Sequence, residues 1–142
     1  MNRDHVPYGL PGPRTPSDLP ELDRAQALEL LARAPVGRVV YTIGALPAVQ
    51  PVAFQLAPGE DGGVLLSAPA GSELARAVEG AVIAFEADDV NGADGSGWYV
   101  TVLGRAQVRP AADTVRIRIR PEVVIGRCLA SPRPPRPPRS PE

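Results

Sequence analysis

The sequence predicts a mostly-β domain: an antiparallel barrel of about six strands, with a leading helix and a short helix between strands. Three observations predict it. Short segments rich in β-branched and aromatic residues recur from residue 38 to residue 129. Clusters of Gly, Pro, Asp and Asn separate them at short intervals, as tight connections require. Only two stretches, after Asp23 and after Ser72, carry helix-start chemistry. Tight connections favour antiparallel pairing, and closure into a barrel removes exposed edges.

The elements follow in order. Residues 1–20 hold five prolines and two glycines without hydrophobic periodicity and read as a disordered leader. The domain is expected over 21–130. Asp23 can cap a helix, Gln26 three residues later completes a capping box, and Leu22 is placed as a staple. Leu28, Leu31 and Ala32 continue at helical spacing until Pro35 and Gly37 stop the helix. Residues 38–43 form the first strand and residues 48–56 its return, with Pro51 confining that strand to an edge or a bulge. A turn at 58–63 leads to a short strand at 64–68. Gly71 and Ser72 open a helix that ends at Gly80. A buried strand at 81–87 is followed by an acidic, glycine-rich loop at 88–97. Residues 98–108 make the longest strand, bent or bulged at Gly104. Val115, Ile117 and Ile119 alternate with Arg116, Arg118 and Arg120, a strand with one wet face. A last strand is expected at 123–129. Residues 131–142 are a proline- and arginine-rich tail of polyproline type with P-x-x-P spacing.

Composition excludes several functions. All fifteen basic residues are arginine, which removes a Schiff-base lysine and the lysine-bearing phosphate loop. Charge is nearly balanced, 15 basic against 16 acidic, and aromatics are only 4%. That balance argues against nucleic acid or an anionic membrane as partner, and few aromatics remain to stack on bases. Cys128 is the single cysteine, so no intrachain disulfide can form. The amino terminus has no apolar run and no stretch nears the roughly 18 apolar residues of a membrane helix, so a cytoplasmic protein is expected. His5, the one histidine, falls in the leader, which disfavours histidine catalysis and metal sites. Glu86, Asp88, Asp89 and Asp94 read as a solvated acidic loop without metal-ligand spacing.

Four motifs in order resemble the flavin-binding split barrels near the nitroimidazole-resistance and pyridoxamine 5′-phosphate oxidase-like proteins. They are residues 36–54 after the leading helix, residues 70–75 with the strand ending at Glu86, residues 97–106, and residues 118–122. The resemblance implies a homodimer of split barrels binding FMN at the subunit interface. It places Gln50, Pro51, Val52, Ala53 and Phe54 beside the isoalloxazine ring, using backbone groups. It places Ser67, Ala68, Ser72 and Glu73 at the phosphate, and Trp98 near the ring or the dimer interface. A helix-opening turn suits a phosphate through its backbone N–H groups.

This sequence departs from the family at several of these positions. Glu73 stands where lysine is usual, Ser67 where arginine is frequent, and Ala53 where many relatives carry asparagine. A carboxylate beside a phosphate repels it. Only residues 109–114 fill a gap in which relatives place a helix and an aromatic-bearing loop. Ser72 therefore either holds phosphate or caps the short helix, and Trp98 is either a ring neighbour or a half-buried strand aromatic. The resemblance implies a flavin-dependent oxidoreductase with no evident catalytic side chain. The alternatives are a diverged, non-catalytic barrel and a relative that uses the deazaflavin F420.

Overall fold

The computed structural model describes residues 21–59 and 63–129. The leader at 1–20 and the tail at 131–142 lie outside the described residues, as does the middle of the 58–63 turn. The chain runs β1 (Glu21–Leu22), α1 (Arg24–Arg33), β2 (Gly37–Ile43), β3 (Leu46–Val52), β4 (Gln55–Leu56), β5 (Val64–Pro69), α2 (Glu73–Val78), β6 (Val82–Val90), β7 (Gly97–Ala111), β8 (Thr114–Ile119) and β9 (Val123–Leu129). Every strand pairing is antiparallel.

Hydrogen-bonded order is β3-β2-β6-β7-β8-β5-β4, with β9 also on β7 and β1 on β9. The two ends of this path, β3 and β4, are successive pieces of one chain segment, separated only by Ala53 and Phe54. The barrel wall is thus completed there by covalent chain and not by a ladder. The expected single return strand at 48–56 is broken at this point, because its first half pairs with β2 and its second with β5. β3 is the edge that Pro51 demands.

Alternation along the strands fills the interior. Val39, Tyr41, Ile83, Phe85, Val100, Val102, Leu66, Ile117 and Ile119 are all buried, with Ala27 and Leu31 from α1 and Leu74 and Val78 from α2. The capping box is formed as the sequence predicts: Asp23 Oδ1 accepts from the Gln26 N–H at 2.8 Å, and Gln26 Oε1 accepts from the Asp23 N–H at 3.0 Å. Gly37 leaves the space that the Phe85 ring occupies; a Cβ there would overlap it.

β7 carries both sides of the architecture. One edge pairs with β6, while the other meets β9 along residues 97–103 and then β8 along 106–111. The corner from β8 to β9 crosses β7 at Gly104, where an added Cβ would fall on the Arg120 carbonyl oxygen. That close approach is the reason for the glycine. β6 is longer than the sequence suggests, because β7 pairs with it out to Val90, and the loop shrinks to 91–96. The short 109–114 gap is a hairpin turning at Ala112 and Asp113, with Ala112 at φ +59°. No helix among the described residues is long and apolar enough to cross a membrane.

Candidate functional site

A groove of about 510 Å³ opens where the barrel wall lacks a ladder. Val52, Ala53, Phe54 and Gln55 form one side; Leu65, Leu66, Ser67 and Arg116 form the other. Ala53 and Phe54 belong to no strand. No ladder engages their backbone N–H and C=O groups, which therefore suit a ligand with polar edges. Phe54 turns toward the core and meets Phe85 edge-on, with centroids 4.7 Å apart and planes at 63°. Ser67 lies directly opposite Arg116 across β5 and β8. A hydroxyl and a guanidinium thus stand together on one wall of a groove whose lining is about equally polar and apolar.

A second polar group sits on the outer face of β2 and β6. Arg38 Nη1 bonds Glu86 Oε1 at 3.0 Å and Asp88 Oδ2 at 3.1 Å. The Glu86 carboxyl is pushed up to about 7, chiefly by burial and then by the hydrogen bond and charge of Asp88, against the opposing pull of Arg38. It therefore exchanges a proton near neutrality. The acidic run is not the solvated loop that its composition suggests: Glu86, Asp88 and Asp89 lie in β6, and only Asp94 is in the loop, where it accepts from Ser96. Among the described residues no three His, Cys, Asp or Glu side chains are grouped to hold a metal ion.

A family model described as pyridoxamine 5′-phosphate oxidase matches residues 23–138. The chain belongs to the pyridoxamine 5′-phosphate oxidase family. An uncharacterized protein of Mycobacterium tuberculosis is 35% identical to it over 144 residues, which span 87% of this chain and 94% of that one. Among solved structures, the FAD binding protein from Mycobacterium smegmatis is similar at 26% identity and a TM-score of 0.67, covering 78% of this chain and all of that one. A FAD-binding protein from Mesorhizobium loti has the same fold at 19% identity and a TM-score of 0.65, over 80% of this chain and 98% of that one.

Within this pyridoxamine 5′-phosphate oxidase family barrel, the ten residues that the resemblance singles out do not all meet. Val52, Ala53, Phe54 and Ser67 line the groove. Gln50 and Pro51 are exposed on β3 just before it, while Ala68 is buried in the core. Ser72 caps α2, its Oγ accepting from the Ala75 N–H at 3.2 Å. Glu73 is exposed and lines a separate hollow of about 350 Å³ with Thr42, Ile43, Gly44, Arg76 and Ala77. Trp98 is half-buried on β7, paired with Asp89 and Cys128, and does not line the groove. Sequence reasoning missed Arg116 as a site residue. Its alternation with Val115 and Ile117 shows an outward side chain, but only the pairing with β5 brings it beside Ser67.

Proposed function

We propose that this protein binds a flavin in the groove and acts as a flavin-dependent oxidoreductase. The observation that carries this reading is the meeting of unladdered backbone, the side chains of Val52 and Leu65, and the Ser67–Arg116 pair at the break in the barrel. Those residues fit a planar aromatic ring that carries a side chain ending in a phosphate. Val52 and Leu65 would cover the ring and exclude water, and the backbone of Ala53 and Phe54 would bond its polar edge. Arg116, with the Ser67 hydroxyl, would hold the phosphate by charge-assisted hydrogen bonds worth about 1.5–3 kcal/mol. Arg116 thereby supplies from β8 the cation that Ser67 lacks. Glu73 lines a separate hollow and so would not face a phosphate held in the groove. When bound, the flavin supplies the electron and hydride transfer, and the protein orients it.

One phosphate site in the groove suits FMN, with F420 as the alternative ligand. Two structurally similar proteins are described as FAD-binding, so FAD belongs in the same test. We further propose a homodimer. Across the outer sheet face, register aligns Val49, Val40, Ala84, Leu103 and Val123 in one apolar row. Val49 is 61% exposed and Val123 47%. A second copy burying this row would explain why apolar residues stand there; sedimentation measures it.

The experiment is an absorbance spectrum after excess FMN, FAD or F420 and desalting. Retained flavin absorbance, lost or reduced about tenfold or more in affinity in Arg116→Ala, is the expected result. A colourless protein with all three ligands would refute the proposal. It would leave the diverged, non-catalytic barrel, the reading that the bare methyl of Ala53 favours.

A further inference from the structure

Strand alternation gives the β3-β2-β6-β7-β9 sheet two faces. Val39, Phe85, Val100 and Val102 point into the barrel and are fully buried, so Arg38, Val40, Ala84, Glu86, Thr101 and Leu103 point outward. Register stacks the outward positions in rows. Beside the apolar row that starts at Val49 runs a second one: Pro51, Arg38, Glu86, Thr101 and Ile125. β6 is the middle strand of the five, so Glu86 stands at the centre of that row. Asp88, Tyr99, Arg127 and Glu21 make a third row. Thr42 and Val82, one step beyond the Val40–Ala84 pair, make a fourth with Pro47 and Arg105.

The β3 edge of this sheet is closed to strand addition. Pro47 and Pro51 pair with Thr42 and Arg38 but have no N–H, so they sit at positions whose nitrogens face away from β2. Those positions alternate along an antiparallel strand. The free edge therefore offers one N–H, that of Val49, between two prolines. A second copy of the chain would meet the outer face and not this edge. Five strands about 4.8 Å apart and four rows about 6.7 Å apart cover about 600 Å² in each copy. The pair would bury about 1,200 Å², above the about 1,000 Å² of a specific interface.

The centre of the face is charged. One nitrogen, Arg38 Nη1, reaches both Glu86 Oε1 and Asp88 Oδ2, at 3.0 and 3.1 Å, which draws the two carboxylates together. β7 sets Thr101 opposite Glu86 and Tyr99 opposite Asp88. At the margin Arg127 pairs with Glu21 at 3.5 Å, and Glu122 bonds the Arg105 N–H. Arg38, Arg105 and Arg127 stand against Glu21, Glu86, Asp88 and Glu122. Each copy thus carries one net negative charge while Glu86 is ionised, and none once it holds a proton. Two copies face to face would double that charge in a desolvated space, where like charges repel with little screening. Leaving water also costs a carboxylate more than a carboxylic acid. Burial and Asp88 already raise the Glu86 carboxyl to about 7, so its proton is within reach near neutrality.

We propose that a second copy of this chain docks on the outer face with Glu86 protonated, so that pairing takes up protons and weakens as pH rises. This rests on the homodimer proposed above. Two-fold contact brings the same residues from both copies, hence two protons. Well below pH 7 Glu86 holds its proton in the single subunit too, and pairing is insensitive to pH. Above 7 each subunit must take one up, and the dissociation constant climbs by up to about a hundredfold per pH unit.

The test is analytical sedimentation of the full chain, without ligand, at about pH 6 and about pH 8.5. The dissociation constant should rise about tenfold or more between them. Glu86→Gln mimics the neutral acid and should pair equally well at both. Glu29→Gln should follow the parent, because Glu29 is exposed on α1 and paired with Arg33, off this face. Val49→Glu adds a carboxylate at an exposed position of the apolar row and should weaken pairing; circular dichroism checks that the variants fold. Equal dissociation constants at both pH values in the parent, or a Glu86→Gln variant that keeps the parent's pH dependence, would overturn the proposal and leave the homodimer standing. Pairing untouched by Val49→Glu would put the dimer on another surface and sink the proposal as well. A single subunit at every pH would remove the homodimer and the proposal together.

Discussion

Replacing Gly104 by alanine tests the architecture at its tightest point. The new Cβ would fall on the Arg120 carbonyl oxygen and come within 2.7 Å of the Arg120 carbonyl carbon and 3.3 Å of the Glu122 nitrogen. All three are backbone atoms, so no side chain can swing aside. The corner must move, yet bonds clamp it on both sides of the contact: Arg120 N–H to Arg105 O at 3.1 Å and Glu122 N–H to Leu103 O at 3.0 Å. The Glu122 carboxylate bond to the Arg105 N–H, at 2.9 Å, goes with them. At about 0.5–1.5 kcal/mol net for each of the three bonds, displacing the corner costs about 1.5–4.5 kcal/mol. Alanine returns about 0.4–1 kcal/mol by restricting the unfolded chain. The expected net loss, about 0.5–4 kcal/mol, is a sizeable part of the about 5–15 kcal/mol that holds a typical domain. Urea unfolding measures it, with Gly92→Ala as control, since a Cβ at Gly92 meets nothing within 4 Å. A loss under about 0.5 kcal/mol, or one equal to the control, would refute the reasoning.

Glu86→Gln should stabilise the protein in a pH-dependent way. The folded carboxyl titrates near 7 against an ordinary 4.5; its neutral form is favoured on folding, and that stability is complete below about 4.5 and lost as pH rises through 7. Glutamine mimics the neutral acid, so the variant should match the parent near pH 4.5 and exceed it by about 1 kcal/mol at pH 8, a figure reduced for solvent screening. Chemical unfolding across that range checks the sign, and a variant less stable than the parent at pH 8 would contradict it. Ser72→Ala removes the α2 cap and should cost about 1 kcal/mol without altering flavin retention. Loss of flavin in that variant would instead make Ser72 a phosphate ligand.

Local chemistry made part of this molecule legible. Asp23 and Gln26 announce α1 because a capping box is complete within four residues. Pro51 marks an edge strand, and Gly104 a special backbone position, because each residue type restricts what its own backbone neighbourhood can do. What stayed hidden depends on pairing between distant segments. Residues 48–56 read as one strand, since nothing local shows that Ala53 and Phe54 lie between two ladders. β1 is two residues long and exists only because β9 offers it a partner. Arg38 meets Glu86 and Asp88 across 48 and 50 residues of chain. Arg116 gains its place beside Ser67 from a register that no periodicity contains.

Because β7 has partners along both edges, its central amides cannot be reached by peeling away an outer strand. Solvent hydrogen should exchange there only when the whole barrel opens, so residues 98–103 report global stability. Ala53 and Phe54, outside any ladder, should exchange orders of magnitude faster, with β3 between these extremes. The protein would then keep its most labile backbone at the mouth of its groove and its most protected backbone on the strand that both halves of the barrel share. A ligand entering the groove could slow exchange at Ala53 and Phe54 while leaving β7 almost unaffected. Comparing the two regions would thus separate local occupancy from general stabilisation in a single experiment.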